Sequence, residues 1–347
     1  MHAFSLTTLT LFSAHLCANC CDCPPPPAGE CCEQQFFVER CQTFVSTEFL
    51  YWTADEGALD YAIKMNRPAW GPSDAFATGK YQTAAYEFRP GYRLSLAWYN
   101  EPKYWEITGQ YTWLYDKGSD RTNKPSEPDL FVNSTWNTIT ADPLRKATSL
   151  IDLHYHLGDV YVARIFDPNP HLRLRLIGGL TLAHIEQSWK VRYSNFLDEH
   201  DRIKNKWRYF GGGLRLATTV DWFWFWQVYL TGKVSFATLL GTYKNQAIQR
   251  TNVALTPQDN PEINVRDITY DDHRFAFHTQ FLVGPSFQLP CECWSMEIFA
   301  GYEFNIWMNL QEVYRSTQSG PSGAKETRLA TGLFGLHGLT ARLTIGF

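Results

Sequence analysis

Trp294-Ser295-Met296-Glu297-Ile298-Phe299-Ala300-Gly301-Tyr302-Glu303-Phe304-Asn305-Ile306 alternates in character from one residue to the next. Trp294, Met296, Ile298, Ala300, Tyr302, Phe304 and Ile306 share one parity. Ser295, Glu297, Phe299, Gly301, Glu303 and Asn305 share the other. Successive side chains of a strand point to opposite faces, so the stretch predicts a β-strand with one apolar and one polar face. The same rhythm recurs at 149–157, 171–183, 227–236 and 274–283. No helical periodicity of useful length accompanies it.

A soluble sandwich or barrel would also alternate. Three features favour a membrane barrel. Several alternating runs reach 14 residues or more, against the five or six usual in soluble sheets. Aromatic residues sit near the run ends, as at Trp98-Tyr99, Trp105, Trp113, Tyr115, Trp294 and Trp307, where rings suit the two membrane interfaces. The connections also alternate between short and long. Candidate strands fall at 44–52, 85–99, 104–116, 148–158, 171–191, 206–220, 226–243, 273–288, 293–308 and 329–347. The links 100–103, 221–225 and 289–292 are short. The links 117–147, 244–272 and 309–328 are long and polar, 192–205 is longer and charged, and 159–170 is of medium length. Short periplasmic turns and long outer loops give this rhythm. The expected fold is an all-β, closed antiparallel transmembrane barrel of ten strands, or twelve if 53–84 adds a pair, because an open edge is not tolerated in lipid.

The chain ends on Leu339, Ala341, Leu343, Ile345 and Phe347 of one parity against Thr340, Arg342, Thr344 and Gly346. A terminal Phe closing a long alternating strand is similar to the signal read by the barrel-insertion machinery, so Phe347 is the candidate assembly signal. Placing it in the periplasm puts 309–328 outside and Cys291 and Cys293 in a periplasmic turn.

Composition agrees. Of 347 residues, 16% are aromatic and 19% charged, with a net charge of −4, and the mean hydropathy is −0.31. Too apolar for disorder and lacking any basic run, the chain is not expected to bind nucleic acid. After the first twenty residues no apolar stretch approaches the length of a spanning helix. Residues 1–18 read as a signal peptide with cleavage near Ala18, although the n-region offers only His2. A lipidated Cys20 is the competing reading, and Cys17-Ala18-Asn19 is a poor context for it. Residues 19–43 form a Cys/Pro-rich periplasmic segment, and 44–347 the barrel. Cys20, Cys21, Cys23, Cys31, Cys32, Cys41, Cys291 and Cys293 are candidate disulfide residues in an exported protein. Their pairing, within the chain or to other envelope proteins, is left open. Zinc is disfavoured because its sites prefer wider Cys spacings.

The segment Thr47-Glu48-Phe49-Leu50-Tyr51-Trp52, followed by Gly57-Ala58-Leu59-Asp60-Tyr61-Ala62, resembles the first strand of the Legionella major-outer-membrane-protein-like family, pore-forming barrels also abundant in environmental chlamydiae. Ile151–Gly158, Leu172–Leu180 and Gly211-Gly212-Gly213-Leu214-Arg215 resemble its middle. The resemblance spans about residues 44–347 and implies a porin-like role in the bacterial outer membrane. It transfers no catalytic residue and no cofactor. The cysteine cluster is similar, more loosely, to the disulfide-linked envelopes of chlamydial major porins.

The candidate pore-lining residues are Arg93, Asp152, His154, Arg173, Arg175, Arg215, Lys233, Arg274, Glu297, Glu303 and Arg342. Their slight basic excess would favour anions in an open pore; charge-paired packing that plugs the lumen is the alternative. Asp152, His154 and His156 share one parity and are expected to face a wet lumen, not a metal. Ser149 lies about 16 Å along the strand from His154, too far for a nucleophile–base pair, and no Gly-x-Ser-x-Gly elbow is present. The expected function is passive diffusion of small hydrophilic solutes, with outer-membrane lipid as surroundings. A structural or adhesive barrel is the alternative, and a barrel hydrolase a third.

Overall fold

The computed structural model describes residues 43–66, 78–100, 104–127, 129–136, 138–140, 143–225, 227–253, 262–290, 294–316, 326–330 and 333–347. The signal peptide, the cysteine-rich segment and both cysteines of the 291–293 turn lie outside them.

Ten strands form a closed antiparallel ring: β1 (Thr43–Glu56), β4 (Arg89–Asn100), β5 (Trp105–Asn123), β7 (Lys146–Asn169), β8 (Leu172–Ser194), β9 (His200–Phe225), β10 (Val228–Thr251), β11 (Ile263–Pro290), β12 (Ser295–Met308) and β15 (Leu333–Gly346). β1 pairs with β4 on one side and β15 on the other, which closes it. The described residues of 57–84 add no wall strand. There, β2 (Asp60–Met65) and β3 (Gly79–Thr83) join β6 (Phe131–Ser134) in a separate three-stranded sheet. A further hairpin pairs β13 (Glu312–Ser316) with β14 (Glu326–Ala330).

The wall is uneven. β1, β4, β12 and β15 have 12 to 14 residues, while β7 to β11 have 23 to 28. Both chain ends of the ring, the tight turn 170–171 and the ends of β9 and β10 at Phe225 and Val228 share one end, the periplasmic end by barrel convention. Phe347 continues the last ladder there, donating its N–H to Thr43 O at 2.9 Å. At the outer end, β8 and β9 run past the ends expected for them, leaving a connection of only 195–199.

A lipid-facing band circles the middle of the wall, with Leu180, Leu182, Leu214, Leu216, Phe236 and Val283 exposed on it. Trp98, Trp105, Trp222 and Trp224 are exposed along its lower edge. The upper edge carries outward Tyr and His. Tyr111 Oη lies 2.7 Å from His156 Nδ1, and Tyr302 Oη 2.8 Å from His337 Nδ1. From Phe210 to Trp222 on β9, at about 3.3 Å per residue and a tilt of 35–45°, the band is roughly 30 Å tall, matching a bilayer's hydrocarbon core.

Above the girdle the polarity of the two faces exchanges. On β7, Ile151, Leu153, Tyr155 and Leu157 are buried inside while Asp152, His154 and His156 face outward; below, Asp159 is buried inside and Val160 is exposed outside. β8 and β9 do the same, with Ile185 and Trp207 inside above the girdle, and Thr181 and Arg215 inside below it. Outside the upper wall lies water, so outward residues there are polar. Inside lies protein: the sheet β2–β3–β6 brings Leu59, Tyr61, Val132 and Trp136 against Ile151, Trp189, Val191 and Ile203 of the wall. The tall wall is lined by a plug.

Candidate functional site

The lumen is the candidate site, and it changes character with height. Across the band the inward residues are polar, as the alternation predicts, and they meet in a buried ionic layer. Arg93 of β4 places Nη1 2.6 Å from Glu48 on β1 and Nη2 2.8 Å from Glu303 on β12, while its Nε donates to Thr112 on β5 at 2.9 Å. Glu303 also accepts from Gln280 on β11 and from Thr340 on β15. Gln280 accepts from Arg215 of β9 at 3.3 Å, and Arg215 Nε stands 3.0 Å from Asp159 on β7. Arg215 also reaches Thr181 on β8 and Ser235 on β10. Each of the ten wall strands contributes. Arg93, Glu303, Arg215 and Asp159 are all buried, so the layer is a septum and leaves no open bore at this height. Buried charges require such pairing, since an unpaired ion loses its hydration without compensation.

Immediately above the septum lies an apolar and aromatic layer. Leu50, Trp52, Tyr155, Trp207, Trp307 and Phe334 are fully or almost fully buried in it. His278 joins the two layers: it lies 3.0 Å from Arg215 through Nδ1 and 3.1 Å from Asn305 through Nε2, and its ring stacks on Trp307 with centroids 4.3 Å apart. Two inward aromatics lie flat over glycines. A Cβ on Gly211 would stand 2.4 Å from Tyr209 Oη, and one on Gly301 would stand 2.4 Å from Phe299 Cζ. Both positions require glycine for this close approach.

The plug is tied to the wall by polar contacts above the girdle. Glu56, the last residue of β1, accepts from Tyr86 at 2.9 Å and from Gln187 of β8 at 2.5 Å, and also from Gln311. Burial lifts its carboxyl to about 7, opposed by the Gln187 and Tyr86 bonds. Arg274 of β11 grips Glu312 of β13 at 2.8 Å, and within the plug Arg315 of β13 grips Asp60 of β2 at 2.8 and 2.9 Å. Tyr193 of β8 donates to the Tyr61 carbonyl at 2.5 Å.

Below the septum a small polar recess, with a cavity volume of about 140 Å³, is lined by Glu106, Arg175, Lys233, Glu297 and Arg342. Arg175 pairs with Asp221 at 2.6 Å and Arg342 with Glu297 at 2.5 Å.

Of the residues expected to line a pore, Arg93, Arg215 and Glu303 form the septum, and Arg175, Lys233, Glu297 and Arg342 line the recess. Arg173 turns inward and pairs with Asp167 at 2.9 Å, while Arg274 turns inward higher up and holds the plug. Asp152 and His154 correct the expectation. They face outward above the girdle, where Asp152 lies 3.8 Å from Lys190 and the His154 ring stands 4.7 Å from that of Tyr115. The inward polar residues His278, Gln280 and Asn305 were not among the expected set, although their parity on β11 and β12 places them there; Asp159 shares the β7 parity expected to face lipid. Among the described residues no group of three His, Cys, Asp or Glu could hold a metal.

A family model described as Legionella pneumophila major outer membrane protein precursor matches residues 39–346. The chain belongs to this family. It is an outer-membrane β-barrel of the bacterial envelope. A comparison with curated proteins returned no match. Among solved structures, the outer membrane protease OmpT of Escherichia coli is similar at 10% identity and a TM-score of 0.43, over 90% of this chain and 100% of that one. A Pseudomonas aeruginosa FadL homologue is similar at 7% identity and a TM-score of 0.25, over 88% and 90%. The toluene transporter TodX of P. putida is similar at 8% and 0.21, over 88% and 90%. At these scores the likenesses carry no argument about activity.

Proposed function

We propose that the chain is a gated outer-membrane channel for small hydrophilic solutes, shut at mid-height in this conformation. The observation that carries the reading is the origin of the plug. The upper lumen is filled by β2, β6 and β13, which belong to connections between wall strands, and such an insert can leave without breaking the ring. Beneath it the charged recess supplies the polar lining that solute passage needs. Solutes would pass by diffusion once the plug lifts and the Arg93–Glu303 contacts part. Single-channel recording in a planar bilayer tests this. Infrequent conductance steps are expected from the native chain, and frequent ones once Arg274→Ala removes the wall's grip on Glu312 and frees the plug. Silence in both would sink the channel reading.

A second reading, a structural barrel without a pore, is favoured by the septum itself, to which all ten wall strands contribute. Hydrolysis is not proposed: Ser149 is buried inside while His154 is exposed outside, so no Ser–His pair forms on that strand. For the cysteines we propose periplasmic disulfides, within the chain or to envelope partners. A monomer band on non-reducing gels that reductant leaves unchanged would count against partners.

A further inference from the structure

Above the girdle the outward face of the tall wall is basic on one side only. β9 presents Arg202, Lys204, Lys206 and Arg208 at four successive outward positions, and β8 presents Lys190 and Arg192 beside them. Leu150 and Ile248 floor a shallow recess rimmed by Lys190, Arg192, Lys204 and Arg250. Nearby acids answer part of this charge. Lys206 pairs with Glu186 at 2.6 Å, Arg202 with Glu262 at 2.8 Å and Lys190 with Asp152 at 3.8 Å. Arg192 and Lys204 have no ion pair among the described residues. β10 adds outward Lys244 and Arg250, and beyond it β11 is different: its outward acids are Asp267 and Asp271, the latter 3.2 Å from Lys244. The short strands β12, β15, β1 and β4 carry no such tall wall.

We infer that this face binds the phosphate-bearing headgroup of a glycolipid in the outer leaflet. Two arguments select that occupant. The cations begin at the upper edge of the lipid-facing band and look sideways into the leaflet, where anionic headgroups concentrate. Their height then discriminates between lipids. Arg208 stands two residues above Phe210 and Lys204 six, about 5 and 15 Å above the girdle at the strand rise and tilt of such barrels. The headgroup layer of an ordinary phospholipid is only about 5–7 Å deep. A headgroup that engages both ends of the patch must therefore be large and carry phosphate at more than one depth, as a phosphorylated saccharide does.

The test is titration of the folded, detergent-solubilised full chain with rough lipopolysaccharide, followed by tryptophan fluorescence. Parallel arms use dephosphorylated lipopolysaccharide, phosphatidylglycerol and inorganic phosphate. Saturable binding is expected for the native lipopolysaccharide and at least tenfold weaker binding in each other arm. The combined variant Lys190→Gln, Arg192→Gln, Lys204→Gln and Arg208→Gln should weaken lipopolysaccharide binding at least tenfold. If that variant does not fold, the single variant Lys204→Glu should weaken it about fivefold or more, near the worth of one surface cation against an anionic membrane. Arg164→Gln, at the opposite edge of the band, should change nothing. Unchanged affinity in the folded variants, or equal affinity for phosphatidylglycerol, dephosphorylated lipopolysaccharide or inorganic phosphate, would overturn the inference.

Discussion

At the scale of single residues, the lumen turns on a few side chains that cannot be replaced quietly. Arg93 is buried between two carboxylates and under the Trp52 ring, 5.3 Å from its centroid. Arg93→Met leaves Glu48 and Glu303 without their partner, and breaking a buried pair on one side costs about 3–5 kcal/mol. The expected result is a lower urea midpoint for loss of the folded, heat-modifiable gel band; an unchanged midpoint would mean the septum contributes little. Gly211→Val tests the aromatic layer above it. The added side chain must displace the Tyr209 ring, and such overpacking costs about 1–3 kcal/mol. The Gly211→Ala variant should fall between the two in the same gel assay. Glu56 supplies a pH dependence. Its docked-state carboxyl sits near 7 against an ordinary 4.5, so the docked plug favours the protonated form. Docking is then strongest below pH 4.5 and weakens as pH rises through 7. Channel openings should become more frequent between pH 5 and pH 8, and Glu56→Gln should flatten that profile.

At the scale of elements, the alternating runs located all ten wall strands; of the aromatic run ends, Trp98 and Trp105 lie on the lower edge of the band, whereas Tyr99 and Trp307 turn inward and are buried. On β7 above the girdle the inner and outer faces are the reverse of those expected, for a physical reason. Apolar residues face lipid only where the strand crosses the membrane; a strand that outruns it meets water outside and a plug inside. The exchange is visible in the residues themselves: the apolar positions are odd at Ile151, Leu153, Tyr155 and Leu157, then even at Val160 and Val162. Asp159 marks the step, entering the septum as the apolar parity changes. The plug was harder to see. β2, β3 and β6 are short, with 6, 5 and 4 residues, and 65 residues separate Met65 of β2 from Phe131 of β6, which pair across the lumen. β2 and β6 cover the apolar inner wall of β7 to β9, and β3 pairs on the exposed edge of β2. A disulfide between plug and wall, made by Ala62→Cys with a cysteine on the facing wall, should suppress openings that reductant restores. Openings unaffected by the bond would locate the gate elsewhere.

At the scale of the whole molecule, the ring has a low wall and a tall one, with an outward belt of lipid-facing residues of nearly constant height. The belt sets depth in the bilayer. Brominated lipid should therefore quench Trp98, Trp105, Trp222 and Trp224 most strongly when bromine lies near the periplasmic headgroups, and weak quenching there would displace the belt. The septum has a consequence for how such a barrel is built. Arg93 on β4 and Glu303 on β12 are separated around the ring by β1 and β15, and they meet only when the first and last wall strands have paired. An open-edged intermediate in the bilayer would hold a guanidinium and a carboxylate apart, each starved of water. Assembly is thereby driven toward the closed register, since a strand slipped by one residue would turn these charges into the hydrocarbon. The layer that shuts the lumen thus doubles as a proofreading device for insertion, rewarding the complete ring and penalising every partial one.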